Sequence, residues 1–547
     1  MLKYSIFFLL ILVGTYPNAQ SDWKLPEVRE PRFGNAVYPI TDFGAVPDGF
    51  FLNTKSIQDA IDACSGKGGG TVQVPAGLWL TGPLVLKSAV NLNLAAGATL
   101  LFTKDKSRYP LVKANWEGFP QMRNQAPISA ENATDIAITG KGIIDGNGDA
   151  WRAVKKDKLT ESQWMKRVAS GGVLSTDGRL WMPSESYAKG EALKDPGRIS
   201  PDKDAAFYAS VKDFFRPNLL VLTSCDGVLL EGVTFQNSPA WCLHPLMSRN
   251  ITVRDLSVKN PWYAQNGDGI DLESCSNVLI ENSVFDVGDD ALCMKSGRDA
   301  DGRQRGMPTK DVIIRNCTVY ASHGGFVVGS EMSGGVNNVY VSNCSFIGSD
   351  IGLRFKTTRG RGGVVEHIFI KDIYMKDIPG DAILFDMYYM AKDPVPLEGE
   401  KRTLPKVERL PVNETTPQFR NIEISNVYVN GAEKAVFLRG LPEMPVRGIR
   451  IRNAVFQSKK GIDIQEAADI RFQNVKVYTA VTQPVIDVIN GKQIQFDRLD
   501  YGRKAELLLR ISGSNNDGLQ FRNTSYKEAE KKLEASLGAT EAVVSFK

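Results

Sequence analysis

Residues 250–281 read NITVRDLSVKNPWYAQNGDGIDLESCSNVLIE, and they contain two copies of the pattern that decides the fold. Each copy opens on an asparagine, Asn250 or Asn277, which is followed by a short run of apolar residues alternating with other residues. The first apolar residues of successive copies are 23 to 34 residues apart, and they are Val228, Ile251, Val278, Val312, Val339 and Ile368. Further copies begin at Asp135, Asn421, Gly448 and Asp469. The chain is therefore a long array of similar units.

Alternation with a period of two indicates strands, and a repeat of this length indicates a solenoid. Parallel strands stacked in coils satisfy their backbone hydrogen bonds with the coils on either side. We therefore predict an all-β fold, a right-handed parallel β-helix. A β-sandwich or a propeller is the alternative. The recurring asparagines favour the β-helix, because Asn tolerates turn conformations and can stack in register along a solenoid.

The ends of the array and two interruptions complete the predicted organisation. Residues 53–63 have helical spacing of Ile57, Ala60 and Ile61, which predicts a helix that caps the first coil. Residues 525–536 predict a second short helix. The polar stretches 152–213 and 387–418 break the repeat and are interpreted as long insertions between coils of a single catalytic domain, residues 21–547.

Composition bounds the class of protein. The chain has 547 residues, a net charge of +4 and 42% hydrophobic residues, which is ordinary for a globular protein and too weakly basic to indicate nucleic-acid binding. Residues 1–20 resemble a secretory signal, with Lys3 before a short apolar run and a cleavage region near Ala19. We expect export to the periplasm or the outside of the cell, with no membrane anchor, and a monomer.

The seven cysteines are an odd number and include no CxxC pair, so neither a zinc site nor a redox site is indicated. Several lie at similar points of the repeat. We interpret them as small buried residues stacked inside the coil rather than as a disulfide framework.

Four short polar motifs fall on successive repeats, at a spacing that would bring them to one surface. They are Asn266-Gly267-Asp268, Gly288-Asp289-Asp290, Ser322-His323-Gly324 and Arg354-Phe355-Lys356. Lys295 adds a cation shortly after the aspartate pair. Arg354 and Lys356 are two residues apart and therefore share one face of a strand, where they could grip a carboxylate.

Three carboxylates held close together cannot all ionise easily, so one should keep its proton to a higher pH than a free aspartate does. Glycoside hydrolysis needs this division between a protonated acid and an ionised carboxylate that activates water. A calcium site and a structural turn are the alternatives for these aspartates taken alone.

The ordered motifs resemble those of the polygalacturonase-like glycoside hydrolases, family 28, whose segments are Asn-Thr-Asp, Gly-Asp-Asp with Lys-Ser-Gly, Gly-His-Gly and Arg-Ile-Lys. The resemblance runs from about residue 38 to beyond 370 and includes Trp241 and His244-Pro245. Three positions depart from the family, namely Gly267, Ser322 and Phe355. None of them changes a charged or histidine position, so the departures bear on substrate detail more than on chemistry.

The resemblance implies a mechanism without a metal or another cofactor. It identifies Asp289 as the general acid and Asp268 and Asp290 as the carboxylates that hold and deprotonate water, about 6.5–9.5 Å from the acid as inversion requires. It implies that His323 tunes or positions the acid.

The resemblance also implies a set of substrate-binding residues. Arg354 and Lys356 would bind the galacturonate carboxylate. Further substrate contacts are predicted from Lys295, Asn266 and His244, although a structural role is an equal alternative for His244.

The expected substrate is a pectic polysaccharide or oligogalacturonide, cut at α-1,4-galacturonosyl linkages. The insertion at 152–213 lies where related exo-acting enzymes close the cleft, so we expect cleavage from a chain end. The alternatives are a rhamnogalacturonan-directed hydrolase of the same family, a calcium-dependent pectate lyase, and a carbohydrate-binding solenoid without activity.

Overall fold

The computed structural model describes residues 24–391, 408–502 and 504–547. Within them, 35 strands form a single coiled sheet, in which every pairing of named strands is parallel. Each strand pairs with its equivalent in the next coil, as Val228 does with Ile251 and Ile251 with Val278. The predicted right-handed parallel β-helix is confirmed.

The strands divide into three faces that run the length of the coil. The first face contains Val37–Pro39, Gly70–Val74, Val90–Leu94, Thr134–Gly140, Asp226–Glu231, Arg249–Arg254, Ser276–Glu281, Thr309–Arg315, Leu519–Arg522 and Val544–Phe546. The second face contains Gly77–Thr81, Ala98–Phe102, Ile143–Asp145, Thr234–Gln236, Ser257–Lys259, Val284–Asp286 and Thr318–Tyr320.

The third face contains Leu84–Val85, Ile128–Glu131, Leu220–Thr223, Leu243–Leu246, Ile270–Glu273, Asp290–Lys295, Gly324–Val328, Leu353–Lys356, Lys460–Gln465, Ile486–Ile489, Ala505–Ser512 and Ala529–Ser536. Longer strands bend across two or three faces, and these are Val336–Ile347, Val364–Asp386, Gln418–Arg439, Val446–Ser458, Ala467–Thr479 and Lys492–Asp500.

The alternating pattern sends one set of side chains into a continuous core. Val278, Val312, Val339 and Ile368 follow one another in register and are all fully buried. Aromatic residues stack along the same direction, as between Phe355 and Phe385, whose ring centroids are 4.2 Å apart. The core thus consists of columns of like residues, which removes apolar surface from water and fixes the register of each coil.

The recurring asparagines occupy turns, as predicted. Asn250, Asn277 and Asn338, which open three of the repeats, adopt positive φ angles of 54°, 54° and 58°. A second series at the following turn, Asn282, Asn316 and Asn343, adopts angles of 52°, 57° and 52°. Asn316 Nδ2 donates to Asn282 Oδ1 at 3.0 Å, and Asn343 Nδ2 donates to Asn316 Oδ1 at 2.9 Å. Asn is one of the few residues that tolerate the left-handed conformation, and its amide continues the hydrogen bonding of the ladder outside the backbone.

The first coil is capped by the helix Thr54–Gly66, close to the predicted bounds, which buries Ile57, Ala60, Ile61 and Cys64. The second predicted helix is wrong, because Ala529–Ser536 is a strand that pairs in parallel with Ala505–Ser512. The preceding coil offers unpaired backbone groups there, and pairing with them overrides the helical propensity of the sequence.

The 152–213 insertion folds outside the coil. It holds three helices, Glu161–Ala169, Glu185–Glu191 and Ala205–Ser210, and a small antiparallel sheet of Val154–Lys155, Val173–Leu174 and Leu180–Met182. A hairpin of Leu111–Trp116 and Phe119–Asn124 also leaves the coil, and a short helix spans Asp299–Arg305. Short 3-10 helices span Ile40–Phe43, Lys106–Arg108, Gly148–Ala150, Lys156–Lys158, Lys212–Phe214 and Glu541–Val543.

Two predictions fall wholly or partly outside the described residues. They are the signal sequence at 1–20 and half of the second insertion, of which residues 392–407 are not described. All seven cysteines lie in the described part, where each is buried and free, as predicted. Among the described helices, none has both the length and the hydrophobicity that crossing a membrane demands.

Candidate active site

The third face brings the four polar motifs together because they lie on consecutive coils. Asp271 is in register with Cys293, Cys293 with Val327, and Val327 with Arg354. Asp268 precedes the first of these strands, Asp290 begins the second, and His323 directly precedes the third. All the predicted catalytic residues and the cationic pair therefore lie on four neighbouring coils of one surface.

Asp268, Asp289 and Asp290 form a compact cluster at the centre of this surface. One carboxylate oxygen from each lies within 4.8 Å of those of the other two. This limit joins one oxygen from each residue, so the predicted separation of 6.5–9.5 Å between the carboxyl groups of acid and base stays a prediction.

Asp290 is held by two cations. Lys356 Nζ donates to its Oδ2 at 2.7 Å, and Arg354 Nη1 donates to its Oδ1 at 3.2 Å. The Asp290 side chain is only 3% exposed. Burial alone would raise the pKa of Asp290, but the charges of Lys356 and Arg354 outweigh burial and hold this pKa below its usual range. Asp290 is therefore the ionised member of the cluster.

Asp268 is in the opposite electrostatic state. Burial, together with the negative charges of Asp271 and Asp289, raises the pKa of Asp268 well above its usual value. Lys295 opposes this only in part, with its Nζ 3.7 Å from Asp268 and 2.9 Å from Asp271. One carboxyl of the cluster thus retains a proton to higher pH while another stays charged, but the carboxyl that retains it is Asp268, to which the resemblance gave the binding of water rather than the role of acid.

Asp289 is the most accessible of the three aspartates, with its side chain 20% exposed. His323 Nδ1 lies 3.1 Å from Asp289 Oδ1, and the backbone N–H of Asn266 donates to Asp289 Oδ2 at 3.2 Å. The hydrogen bond to Asp289 raises the pKa of His323. A carboxyl with an imidazole beside it, at the open side of the cluster, is well placed to exchange a proton with a bound sugar.

Two predicted substrate contacts do not reach the surface. The His244 side chain is fully buried, and its Nε2 lies 3.0 Å from Glu273 Oε2. Lys295 is 5% exposed and engages carboxylates. Neither the His244 ring nor the Lys295 ammonium is open to a sugar. His244 therefore has the structural role given as its alternative, and Lys295 pairs with the aspartates rather than with the substrate.

Asn266 lies at the edge of the site, and its side chain is already engaged. Its Oδ1 accepts a hydrogen bond of 2.9 Å from Arg216 Nη2. Asn266 has a φ angle of 53°, which turns its backbone N–H towards Asp289. Its backbone N–H thus helps to orient the Asp289 carboxyl.

Several residues of the site were not predicted. Asp271 shares its strand with Glu273, and burial raises the pKa of Asp271 to about 6 despite the opposing charge of Lys295. The alternation of Ile270-Asp271-Leu272-Glu273 carried the signal, because both acids must point away from the core. The ring centroid of Tyr389 lies 4.9 Å from Lys356 Nζ. Tyr389 follows the four polar motifs in the chain, and no motif around it indicated a place in the site.

The aspartate cluster has the geometry in which a cation could be held. Its charge, however, is already balanced by protein groups. Arg354 and Lys356 occupy both oxygens of Asp290, and His323 occupies one oxygen of Asp289. The charges of these groups would repel a divalent ion, so the side chains fit proton transfer better than calcium binding.

Comparison with known proteins gives the family. The profile of the glycosyl hydrolases family 28 matches residues 159–404. A probable polygalacturonase of Vitis vinifera is 31% identical over 425 residues, which cover 76% of this chain and 73% of that protein. An exo-poly-alpha-D-galacturonosidase of Dickeya chrysanthemi is 33% identical over 366 residues, 64% of this chain and 57% of that protein.

The fold and the family also agree with a solved structure. The hyperthermoactive exopolygalacturonase of Thermotoga maritima superposes with a TM-score of 0.64 at 30% identity, over 82% of this chain and 93% of that one. With the aspartate cluster and the cationic pair in place on the third face, the chain belongs to the glycosyl hydrolases family 28 and is a glycoside hydrolase.

Proposed function

We propose that the protein hydrolyses α-1,4-galacturonosyl linkages of pectin with inversion, acting from a chain end. The observation that carries this proposal is the contact of the aspartate cluster with Arg354 and Lys356 on one groove. Hydrolysis needs the carboxyls, and a uronic-acid substrate needs the cations. Two relatives support the substrate class, one named a probable polygalacturonase, in Vitis vinifera, and one named an exo-poly-alpha-D-galacturonosidase, in Dickeya chrysanthemi.

Asp289 is the proposed acid. It is the most exposed carboxyl of the cluster, and His323 Nδ1 lies beside its Oδ1 at 3.1 Å. In its protonated form Asp289 donates to the glycosidic oxygen as the bond to the anomeric carbon breaks. The imidazolium form of His323 is the nearest proton source for restoring that form after each turnover.

Asp268 and Asp290 are the proposed holders of the attacking water. Asp290 is ionised and accepts the proton of the water, while Asp268 completes the binding of that water. Both side chains are almost fully buried, at 5% and 3% exposure. A buried carboxylate held by two cations cannot easily reach the anomeric carbon itself, whereas a water between them can, and attack by water inverts the centre.

The closeness of the carboxylates, with one oxygen of each within 4.8 Å of the others, makes stereochemistry a decisive test. A separation near 5 Å is typical of retaining enzymes, in which a carboxylate is the nucleophile. Following the anomeric proton of the first product by NMR distinguishes the two outcomes. Early appearance of the β-anomer from the α-linked substrate supports the proposal, and early α-anomer contradicts it.

Substrate binding also activates the base. The galacturonate carboxylate competes with Asp290 for Arg354 and Lys356, whose Nη1 and Nζ now bind Asp290. Weaker contact with these cations makes Asp290 a stronger proton acceptor, because the charges that depress its pKa are then shared. The carboxylate of the correct substrate thus turns on the base that cleaves it.

The expected site of action is outside the cytoplasm, by export through the signal at 1–20. End-directed cleavage is supported by the exo-acting relatives of Dickeya chrysanthemi and Thermotoga maritima. The protein is expected to act as a monomer.

The experiment that tests the function is a time course of products from polygalacturonate and from rhamnogalacturonan. Turnover of polygalacturonate with no product absorbing near the ultraviolet band of unsaturated uronides supports hydrolysis. Unsaturated product would identify a lyase, turnover of rhamnogalacturonan alone would identify the other substrate, and binding without turnover would identify a carbohydrate-binding protein.

A further inference from the structure

The outward side chains of the third face change in character along the coil. Val85 is in register with Ser129, Ser129 with Val221, and Val221 with His244. The first three are half-buried and uncharged, whereas the next coil of the same face presents Asp271. The third face is therefore largely apolar on the coils that precede the aspartate cluster.

The hairpin Leu111–Trp116 and Phe119–Asn124 covers this apolar part of the face and encloses a cavity. The cavity has a volume of about 690 Å³, with Val85, Ser129 and Val221 among the residues of its floor. This volume is within the range of sites that bind small molecules, and such sites are mostly apolar with a few polar groups.

Contacts at both ends of the hairpin hold it above the floor. At its tip, Glu117 pairs with Arg298 at 3.3 Å. At its base, the N–H of Gln125 donates to the carbonyl of Pro110 at 2.9 Å. The cavity is therefore preformed, and a ligand would not have to open it.

The cavity is separate from the aspartate cluster. Trp116 lines the cavity and stacks on Trp241, with ring centroids 4.9 Å apart. Lys295 Nζ lies 3.5 Å from the centroid of Trp241 and 3.7 Å from Asp268, so these side chains fill the space between cavity and cluster. Among the described residues that line the cavity, none belongs to the four polar motifs.

Three asparagine side chains line the cavity with unused amide oxygens. The Oδ1 atoms of Asn115, Asn124 and Asn218 are buried and accept no hydrogen bond from any described residue. Asn124 is 2% exposed and Asn218 is 5% exposed. A buried acceptor without a partner is destabilising, and three of them around one cavity indicate that a ligand completes their hydrogen bonding.

The amide nitrogens fix the orientation of two of these side chains. Asn124 Nδ2 donates to two backbone carbonyl groups, at 2.8 and 2.9 Å. Asn218 Nδ2 lies 3.1 Å from His244 Nδ1, and His244 Nε2 faces the Glu273 carboxylate. Because a carboxylate only accepts, the hydrogen of the neutral ring is on Nε2, and Nδ1 accepts from Asn218. The oxygens, and not the nitrogens, are therefore left for a ligand.

These features define the chemistry of that ligand. Amide oxygens accept hydrogen bonds from hydroxyl groups and would repel a carboxylate. The two arginines of the wall are already engaged, since Arg123 lies 3.8 Å from the centroid of Trp116 and Arg305 donates to Glu273 at 2.6 Å. The apolar floor favours a methyl group over a hydroxyl group. A neutral sugar with an apolar edge meets both requirements.

We propose that the cavity beneath the hairpin is a second carbohydrate site, which binds a neutral 6-deoxyhexose through the three asparagine oxygens and the apolar floor. The site goes beyond the proposed function, because it takes a sugar without a carboxylate. Its ligand is also held apart from the reacting groups by Trp116, Trp241 and Lys295.

L-Rhamnose is the probe, and L-mannose is its matched control because the two sugars differ only by the hydroxyl group on C6. Saturation-transfer NMR with the wild-type protein should show binding of L-rhamnose, with the strongest signal at its methyl group. L-Mannose should bind about tenfold more weakly, because its extra hydroxyl group would face the apolar floor. No saturable binding of L-rhamnose, or equal binding of both sugars, overturns the proposal.

Two variants locate the site. Asn115→Leu removes one unused oxygen, so it should weaken L-rhamnose binding about tenfold, the worth of one hydrogen bond, without lowering the midpoint of urea unfolding. Val221→Phe should weaken binding by filling the cavity from its floor. Val284→Phe, which changes a valine 37% exposed on the second face, is the control and should bind L-rhamnose as the wild type does. Unchanged binding in Asn115→Leu and Val221→Phe overturns the proposal.

A third variant distinguishes this site from the proposed active site. Lys356→Met should lose hydrolysis of oligogalacturonides and keep the wild-type affinity for L-rhamnose, whereas Asn115→Leu should do the opposite. Loss of L-rhamnose binding in Lys356→Met would place the sugar on the aspartate cluster. That result would overturn the second site and leave the proposed hydrolysis intact.

Discussion

Lys356 Nζ lies 2.7 Å from Asp290 Oδ2, so the group proposed to bind the substrate directly controls the group proposed to activate water. Lys356→Met should therefore damage both steps. Truncating one partner of a buried charge pair costs about 2–5 kcal/mol, which corresponds to a loss in kcat/KM of about 30- to 4,000-fold. Kinetics on free and methyl-esterified oligogalacturonides measure this, with the larger loss expected on the free acid.

The matched control for that variant is Lys376→Met, whose side chain is 63% exposed on another face. It should leave kcat/KM unchanged. An equal loss on both substrates for Lys356→Met would contradict a role in binding the carboxylate.

Asp289→Asn should lower kcat by about 10²- to 10⁴-fold, the usual contribution of a general acid. The amide is nearly isosteric, so thermal unfolding should stay close to that of the wild type. Asp286→Asn, which changes an exposed aspartate three residues earlier, serves as the control and should keep full activity. Full turnover by Asp289→Asn would exclude it as the acid.

The pH dependence of kcat should report on His323. The hydrogen bond to Asp289 raises the pKa of His323, so the imidazolium form persists to a higher pH than in a free histidine. The stability that this form contributes is present at lower pH and is lost as pH rises through the raised pKa. We expect kcat to fall as pH rises through the raised pKa of His323. In His323→Asn, kcat should be lower and this alkaline decrease should be absent. An alkaline decrease unchanged in the variant would assign the titration to another group.

Glu273 should dominate the stability of the coil beneath the site. Burial opposes its charge, but the hydrogen bond with His244 and the charges of His244 and Arg305 lower the pKa of Glu273 to about 2. Its contribution is therefore present above the ordinary glutamate pKa and lost as pH falls towards 2. Glu273→Gln should destabilise the protein by about 3–5 kcal/mol in urea unfolding at pH 7.

Glu530→Gln provides the comparison, because Glu530 forms a surface pair with Lys504 that is mostly exposed. It should change the midpoint of urea unfolding very little. An equally small change for Glu273→Gln would show that the buried cluster does not hold the coil together.

Chelation should not affect the rate. Arg354, Lys356, Lys295 and His323 already neutralise the aspartate cluster, so no cation is required there. Initial rates on polygalacturonate with and without EDTA should agree within error, and calcium added back should change nothing. A rate that falls with EDTA and returns with calcium would support the lyase alternative.

The sequence was sufficient to predict the solenoid and the meeting of its catalytic residues, because both follow from a local period. Asp268 and Asp290 lie at equivalent points of adjacent coils, and Lys356 lies two coils further on at the point equivalent to Lys295, so the register of the coils brings them to one surface. The burial of His244 could not be predicted from the local repeat. It depends on Trp116, whose hairpin comes from more than 100 residues earlier, and on Arg305, which pairs with Glu273 from a separate helix.

The incorrect helix at 525–536 has a similar cause. Lys, Glu and Ala favour a helix in isolation. Here the segment instead forms a strand, because it pairs with the exposed edge of the preceding coil. The hairpin, in contrast, had a visible signal, since Glu117-Gly118 forms a turn between two short alternating segments.

The parallel register has a consequence for altering this enzyme. Each coil is bonded only to the coil before it and the coil after it, and all the proposed catalytic groups lie on four coils near the middle of the chain. Coils towards the C-terminus could be grafted, removed or exchanged as units, which would lengthen or shorten the third face beyond the site without moving a single reacting atom.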